Sequence, residues 1–172
     1  LILSHPNVRE IIKTALIEDS KCFDNFNAVA GVATAGIPHG ALLADALHLP
    51  FAYVRSKPKS HGRQNLIEGD LAKGSHVLVI EDLISTGGSS IAAVKGLQES
   101  GFKVVGVQAI FSYGFKEAET AFREAGCPFK TLTELNTLLD QAKKLRSLSN
   151  DHMQEVLRWK EAPKAWYNHY KN

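Results

Sequence analysis

His76-Val77-Leu78-Val79-Ile80-Glu81-Asp82-Leu83-Ile84-Ser85-Thr86-Gly87-Gly88-Ser89 is the stretch on which the fold of this chain turns. The apolar, mostly β-branched run at 77–80 reads as a buried strand that stops at two adjacent carboxylates, Glu81 and Asp82. Ser85, Thr86, Gly87, Gly88 and Ser89 then form a turn of small and hydroxylated residues, and a helical pattern begins at Ile91. A strand, an acidic pair at its carboxyl end and a glycine-hydroxyl turn feeding a helix start describe a site for a phosphorylated sugar. The turn's N–H groups and the helix dipole hold a phosphate. The acidic pair faces the ribose hydroxyls, or a metal shared with them. A capped helix would explain the hydroxyls alone, but it does not call for two carboxylates directly after a buried strand. No lysine follows the glycines, so the order differs from the G-x-x-x-x-G-K-[ST] cradle of ATP-type sites.

On both sides of this stretch, short apolar runs alternate with amphipathic ones, which predicts an α/β fold with a mainly parallel sheet. Ser4-His5-Pro6 opens a helix through about residue 17, with serine as the cap and proline in the first turn. Residues 28–33 read as a buried strand, followed by the Thr34-Ala35-Gly36 turn and a helix over 41–47. Residues 51–54 are a short strand and 57–70 a long exposed loop. Further on, the pattern predicts helices at 90–99 and 117–124, strands at 104–111 and 129–132, and closing helices at 134–145 and 150–160. With 172 residues and no repeat, low-complexity segment or linker, residues 1–172 read as a single domain.

A net charge of +2 gives no field toward nucleic acid or a membrane surface, so anion binding has to be local. No apolar stretch approaches the about 20 residues of a membrane span. Cys22 and Cys127 make neither a metal spacing nor a disulfide framework, and read as reduced core thiols of a cytoplasmic protein.

The loop after the 51–54 strand carries Arg55, Lys57, Lys59, His61 and Arg63. Loops longer than about 12 residues are uncommon in compact domains and tend to be functional or disordered. In an open α/β sheet, ligands bind outside the carboxyl ends of the strands. A cationic flap there can close over a pyrophosphate and neutralise it. The Thr34-Ala35-Gly36 turn also joins a strand to a helix, and its small residues let the backbone approach an anion.

These pieces resemble the orotate phosphoribosyltransferases, within the type I phosphoribosyltransferases, over almost the whole chain. The most specific element is the flap R-x-x-x-K-x-H-G, here Arg55, Lys59, His61 and Gly62, ahead of E-D-x-x-x-T-G-G at 81–88. Adenine and hypoxanthine phosphoribosyltransferases share the acidic motif but lack this flap. The resemblance implies the type I fold, a mainly parallel central sheet flanked by helices. It also implies transfer of ribose 5-phosphate from phosphoribosyl pyrophosphate (PRPP) to orotate, giving orotidine 5-phosphate and pyrophosphate in pyrimidine (UMP) biosynthesis.

Carried over residue by residue, the resemblance makes Lys59, His61, Glu81 and Asp82 catalytic. Arg55, Lys59 and His61 contact the pyrophosphate of PRPP, and Thr34, Ala35 and Gly36 form a pyrophosphate turn. Glu81, Asp82, Leu83, Ile84, Ser85, Thr86, Gly87, Gly88 and Ser89 bind the ribose 5-phosphate, with Ser85 also near orotate. Magnesium is implied, held mainly through PRPP with no direct protein ligand. So is a cytoplasmic homodimer whose flap reaches into the neighbouring subunit's site, with no nucleic-acid or membrane partner.

Two positions depart from many members, which carry lysines where this chain has Ser56 and Ala35. The family's amino-terminal hood would precede Leu1, and Met153 is the only methionine, so the domain is expected to be amino-terminally incomplete. The rival readings are a phosphoribosyltransferase for a purine or uracil, and a PRPP-sensing regulator that does no chemistry.

Overall fold

The computed structural model describes residues 2–55, 66–163 and 165–166. After a single turn at Ile2–Ser4, the chain runs α1 (Pro6–Ser20), β1 (Ala28–Val32), α2 (Gly36–Leu47), β2 (Phe51–Val54) and β3 (Ile67–Glu68). It continues through β4 (His76–Ile84), α3 (Gly88–Glu99), β5 (Lys103–Ser112), α4 (Lys116–Glu124), β6 (Phe129–Glu134), α5 (Leu135–Lys144) and α6 (Asn150–Glu161). The strands form one sheet in the order β3-β2-β1-β4-β5-β6. Every pairing is parallel except that of β2 with β3. The α/β fold class expected from the sequence is the one observed.

The central strands are apolar on both sides because helices cover both sides. Val29 of β1 and Leu78 and Ile80 of β4 pack with Leu16 of α1 and Leu43 and Ala44 of α2. The alternate residues Ala28, Ala30, Val77 and Val79 pack on the opposite face with Val94 and Leu97 of α3 and Phe122 of α4. A third, smaller cluster joins Leu135 and Leu139 of α5 to Met153 of α6, with Tyr113 and Trp159 against it.

Several boundaries differ from expectation. β4 does not stop at Glu81: it runs to Ile84, because β5 pairs with it as far as Ile84↔Ser112. β1 pairs with it only to Gly31↔Ile80. α3 begins at Gly88 rather than at 90 or 91, since Gly87 takes φ +83 and starts the helix itself. α2 begins at Gly36 rather than 41, and α1 continues to Ser20. His5, not Ser4, is the N-cap of α1, and its side chain makes no capping bond. The expected loop at 57–70 contains β3, whose two residues pair with Tyr53 and Val54. Cys127 is a core thiol as expected, but Cys22 is exposed.

The start of α2 is pressed onto the sheet by missing side chains. A Cβ on Gly36 would lie 2.5 Å from the Ile80 carbonyl oxygen and 3.3 Å from Glu81 Cα. One on Gly31 would meet Gly36 O at 2.8 Å. This close approach carries the 34–36 turn to the acidic pair. Gly36→Ala should therefore force the helix off β4 and lower unfolding stability by about 1–3 kcal/mol, measured by denaturant titration. An unchanged midpoint would show that the contact can relax at no cost.

Candidate active site

The parallel sheet reverses its winding between β1 and β4: the connection from β1 leads out toward β2, that from β4 toward β5. Such a switch point opens a crevice at the carboxyl ends of the strands. Here the crevice is bounded by the turn after β1 and the turn after β4. Since β1 leaves β4 at Ile80, Glu81 and Asp82 follow directly after the last pairing on that side.

Glu81 is 4% exposed, Asp82 partly exposed. The hydroxyls of Ser89 and Ser90, in the first turn of α3, each donate to Glu81 Oε2 at 3.3 Å, and the Asp82 N–H donates to Oε1 at 3.2 Å. Burial, then a hydrogen bond with Asp82, raises the Glu81 carboxyl from its ordinary 4.5 to about 7. From α2, His39 is 5% exposed and feels the charge of Asp82. Burial holds its imidazole below the usual histidine range, with Asp82 pulling the other way.

Neither α2 nor α3 has a side-chain cap at its amino terminus. The Ile37 N–H donates to the Thr34 carbonyl at 3.3 Å; the other N–H groups of the two first turns have no side-chain cap and can meet an anion. Thr34, Ala35, Thr86, Gly88 and Ser89 are exposed or nearly so, while Gly36 and Gly87 are buried beneath them. Leu83 and Ile84 lie in the last part of β4, Ser85 just beyond it.

Arg55 follows β2, next to the 34–36 turn, where the Ala33 N–H donates to the Val54 carbonyl at 2.8 Å. Its guanidinium meets Glu68 Oε1 at 3.4 Å. Lys59, His61 and Gly62 of the flap, with Ser56 and Lys57, lie outside the described residues. The structure thus brings together the 34–36 turn, Arg55, the acidic pair and the 85–89 turn. Glu68, Ser90 and His39 join them without having been singled out in the sequence. Ser90 adjoins the quoted stretch, and its distance of nine residues from Glu81 matched no pattern. Glu68 lies in the segment expected to be loop, and His39 between the 34–36 turn and the expected helix start at 41.

Among the described residues, no group of three or more His, Cys, Asp or Glu side chains converges as a metal cage. Glu81 and Asp82 alone could hold at most one side of a hydrated divalent ion, since magnesium keeps its waters and takes few protein ligands. On the β5 side of the turn, a cavity of about 1020 Å³ begins at Ser85 and Thr86 and runs past Gly114 to the end of α6.

An acidic pair between two helix starts, at the switch point of a parallel sheet, fits the phosphoribosyltransferase class. Residues 2–134 match the family model described as "Phosphoribosyl transferase domain". The orotate phosphoribosyltransferase of Bacillus pumilus is 49% identical over 166 residues, covering 96% of this chain and 78% of that protein. That of Cytophaga hutchinsonii is 46% identical over 167 residues, covering 96% and 80%. The crystal structure of the Aeropyrum pernix orotate phosphoribosyltransferase superposes with a TM-score of 0.75 at 30% identity, over 83% of this chain and 80% of that one. The chain belongs to the orotate phosphoribosyltransferase family.

The raised Glu81 carboxyl has a thermodynamic consequence. Between pH 4.5 and about 7 the folded protein keeps a proton that the unfolded chain has lost. Glu81 therefore lowers stability progressively as pH rises through that window. His39 has the opposite sign, favouring the fold as pH rises toward its ordinary 6.5. The contrast between variants is the readout: from pH 5 to pH 8, Glu81→Gln should lose less unfolding free energy than wild type, with substrate absent. Equal pH dependence in the two would contradict the buried, protonated state of Glu81.

Proposed function

We propose that this chain transfers ribose 5-phosphate from PRPP to orotate, releasing pyrophosphate and forming orotidine 5-phosphate in pyrimidine biosynthesis. The observation that carries the reading is the placement of Glu81 and Asp82 between the open starts of α2 and α3. That spacing offers one donor array for each end of PRPP and carboxylates for the ribose between them. A Mycobacterium tuberculosis orotate phosphoribosyltransferase with a TM-score of 0.65 and 26% identity, matching 78% of each chain, was solved in complex with PRPP. That complex supports PRPP as the donor here.

In this reading the 85–89 turn holds the 5-phosphate through the N–H groups and dipole of α3. Glu81 and Asp82 hold the ribose hydroxyls. The anomeric carbon is substituted through an oxocarbenium-like state, in which the bond to pyrophosphate breaks as that to the orotate nitrogen forms. Positive charge on the ribose is offset by the acidic pair, and negative charge on the departing pyrophosphate by Arg55, Lys59, His61 and the 34–36 turn. Magnesium, held by PRPP, supplies further charge to the leaving group. The flap acts in a cytoplasmic homodimer by reaching the partner's site. No helix among the described residues is long and apolar enough to cross a membrane.

Incubation with PRPP, magnesium and a panel of free bases tests the function. Orotate should be consumed, and adenine, hypoxanthine and uracil should react far more slowly. Preference for another base would overturn the acceptor, and no turnover with any base would favour a sensor. Lys59→Ala should lower turnover by about 10²–10³-fold, as loss of one donor to a developing anion does, with a smaller change in PRPP binding. Retained turnover would remove Lys59 from the mechanism. Co-expressed Lys59→Ala and Asp82→Asn subunits should regain activity, because a shared flap gives each heterodimer one intact site. Verified heterodimers without activity would put the flap over its own subunit.

A further inference from the structure

The acceptor proposed above brings a ring carboxylate that is ionised at neutral pH, whereas Ser85, assigned to it, is neutral. A carboxylate leaving water needs a cation or several donors. The cavity that opens at Ser85 and Thr86 reaches Lys160 in the last turn of α6. We infer that Lys160 binds the carboxylate of the acceptor base and selects for bases that carry one. The inference rests on the orotate reading of the same site.

Three observations place Lys160 for this. Its ammonium donates to Asn136 Oδ1 at 3.0 Å, a neutral acceptor that uses one of three N–H bonds. Gly114, with φ +67, leaves the room the ammonium occupies: a Cβ there would lie 3.2 Å from Lys160 Nζ and 3.4 Å from Glu134 Oε2. Finally, the neighbouring Trp159 fixes this end of α6 to the loop after β5, with its ring 5.1 Å from Tyr113 and 5.6 Å from Phe115. Lys160 is thus carried on a docked helix rather than on a free surface.

The cavity holds other charges. Lys116, Glu117, Glu124 and Glu161 also line it, and all four are exposed, as is Glu134 behind Gly114. Lys160 is partly buried. Its ammonium is held in place by the Asn136 bond and by the room above Gly114, so the charge is already positioned when a carboxylate arrives. That distinguishes it from Lys116 and from the surrounding carboxylates.

Steady-state kinetics of the full chain, varying orotate and PRPP separately, test the inference in Lys160→Met and Lys160→Arg. Lys160→Met should raise the KM for orotate about 10- to 100-fold, the range of a hydrogen bond to a charged group. The KM for PRPP should stay within about twofold, and Lys160→Arg should recover most of the orotate loss. An unchanged orotate KM, or an equal rise for PRPP, would overturn the assignment by showing a bystander or a purely structural role. If Lys160→Met does not fold, neutral Lys160→Gln carries the same expectation and the same overturning result. Wild-type protein that uses PRPP with another base but not orotate would instead remove the reading beneath the inference, and the inference with it.

Discussion

The site depends on a mismatch in strand pairing. β4 stays hydrogen-bonded to β5 through Ile84, four residues beyond its last partner in β1. Where β1 departs, one side of β4 is released from the sheet while its backbone remains fixed by the other. Glu81 and Asp82 stand at that point. The chain leaving β1 turns at once into α2, and Gly36 lets that helix settle against Ile80 and Glu81. Two helix starts and two carboxylates are brought within one crevice by backbone geometry, before any side chain is chosen for its chemistry.

Burying a carboxyl group is costly unless its hydrogen bonds are met. At Glu81 the cost is reduced by two serine hydroxyls and one backbone N–H, and further by retaining a proton to about neutral pH. The group is therefore poised between donor and acceptor near neutral pH. Asp82 lies closer to solvent, between Glu81 and the buried His39. The acidic pair, equivalent in the sequence, divides in the fold into one member tied to α3 and one facing α2. A similar division of labour runs through the helices: α1 to α4 make the two-faced core, whereas α5 and α6 cover the loop after β5.

Much of this was legible in the chain because the signals are local. The β-branched run at 77–80, the carboxylates and the hydroxyl-glycine turn each follow from adjacent residues, and the alternation of apolar runs fixed the α/β class. Boundaries set by distant partners were not legible. β4 outruns its apolar stretch because β5 pairs with it, and β3 exists because β2 offers an edge to two residues of a polar segment. Ser90, Glu68 and His39 entered the site through tertiary packing, and no spacing in the sequence announces such contacts. Cys22 shows the converse: it is expected to be a core thiol, but the segment after α1 leaves it at the surface.

The central claim is that one PRPP molecule spans both turns, with the ribose on the acidic pair. Hydrogen–deuterium exchange of the backbone amides, with and without PRPP and magnesium, tests it most directly. Binding should slow exchange at two separated places together, residues 34–37 at the start of α2 and residues 85–90 at the start of α3. The outer face of α1 should remain unchanged. Protection confined to one of the two turns, or lying away from both, would contradict the account.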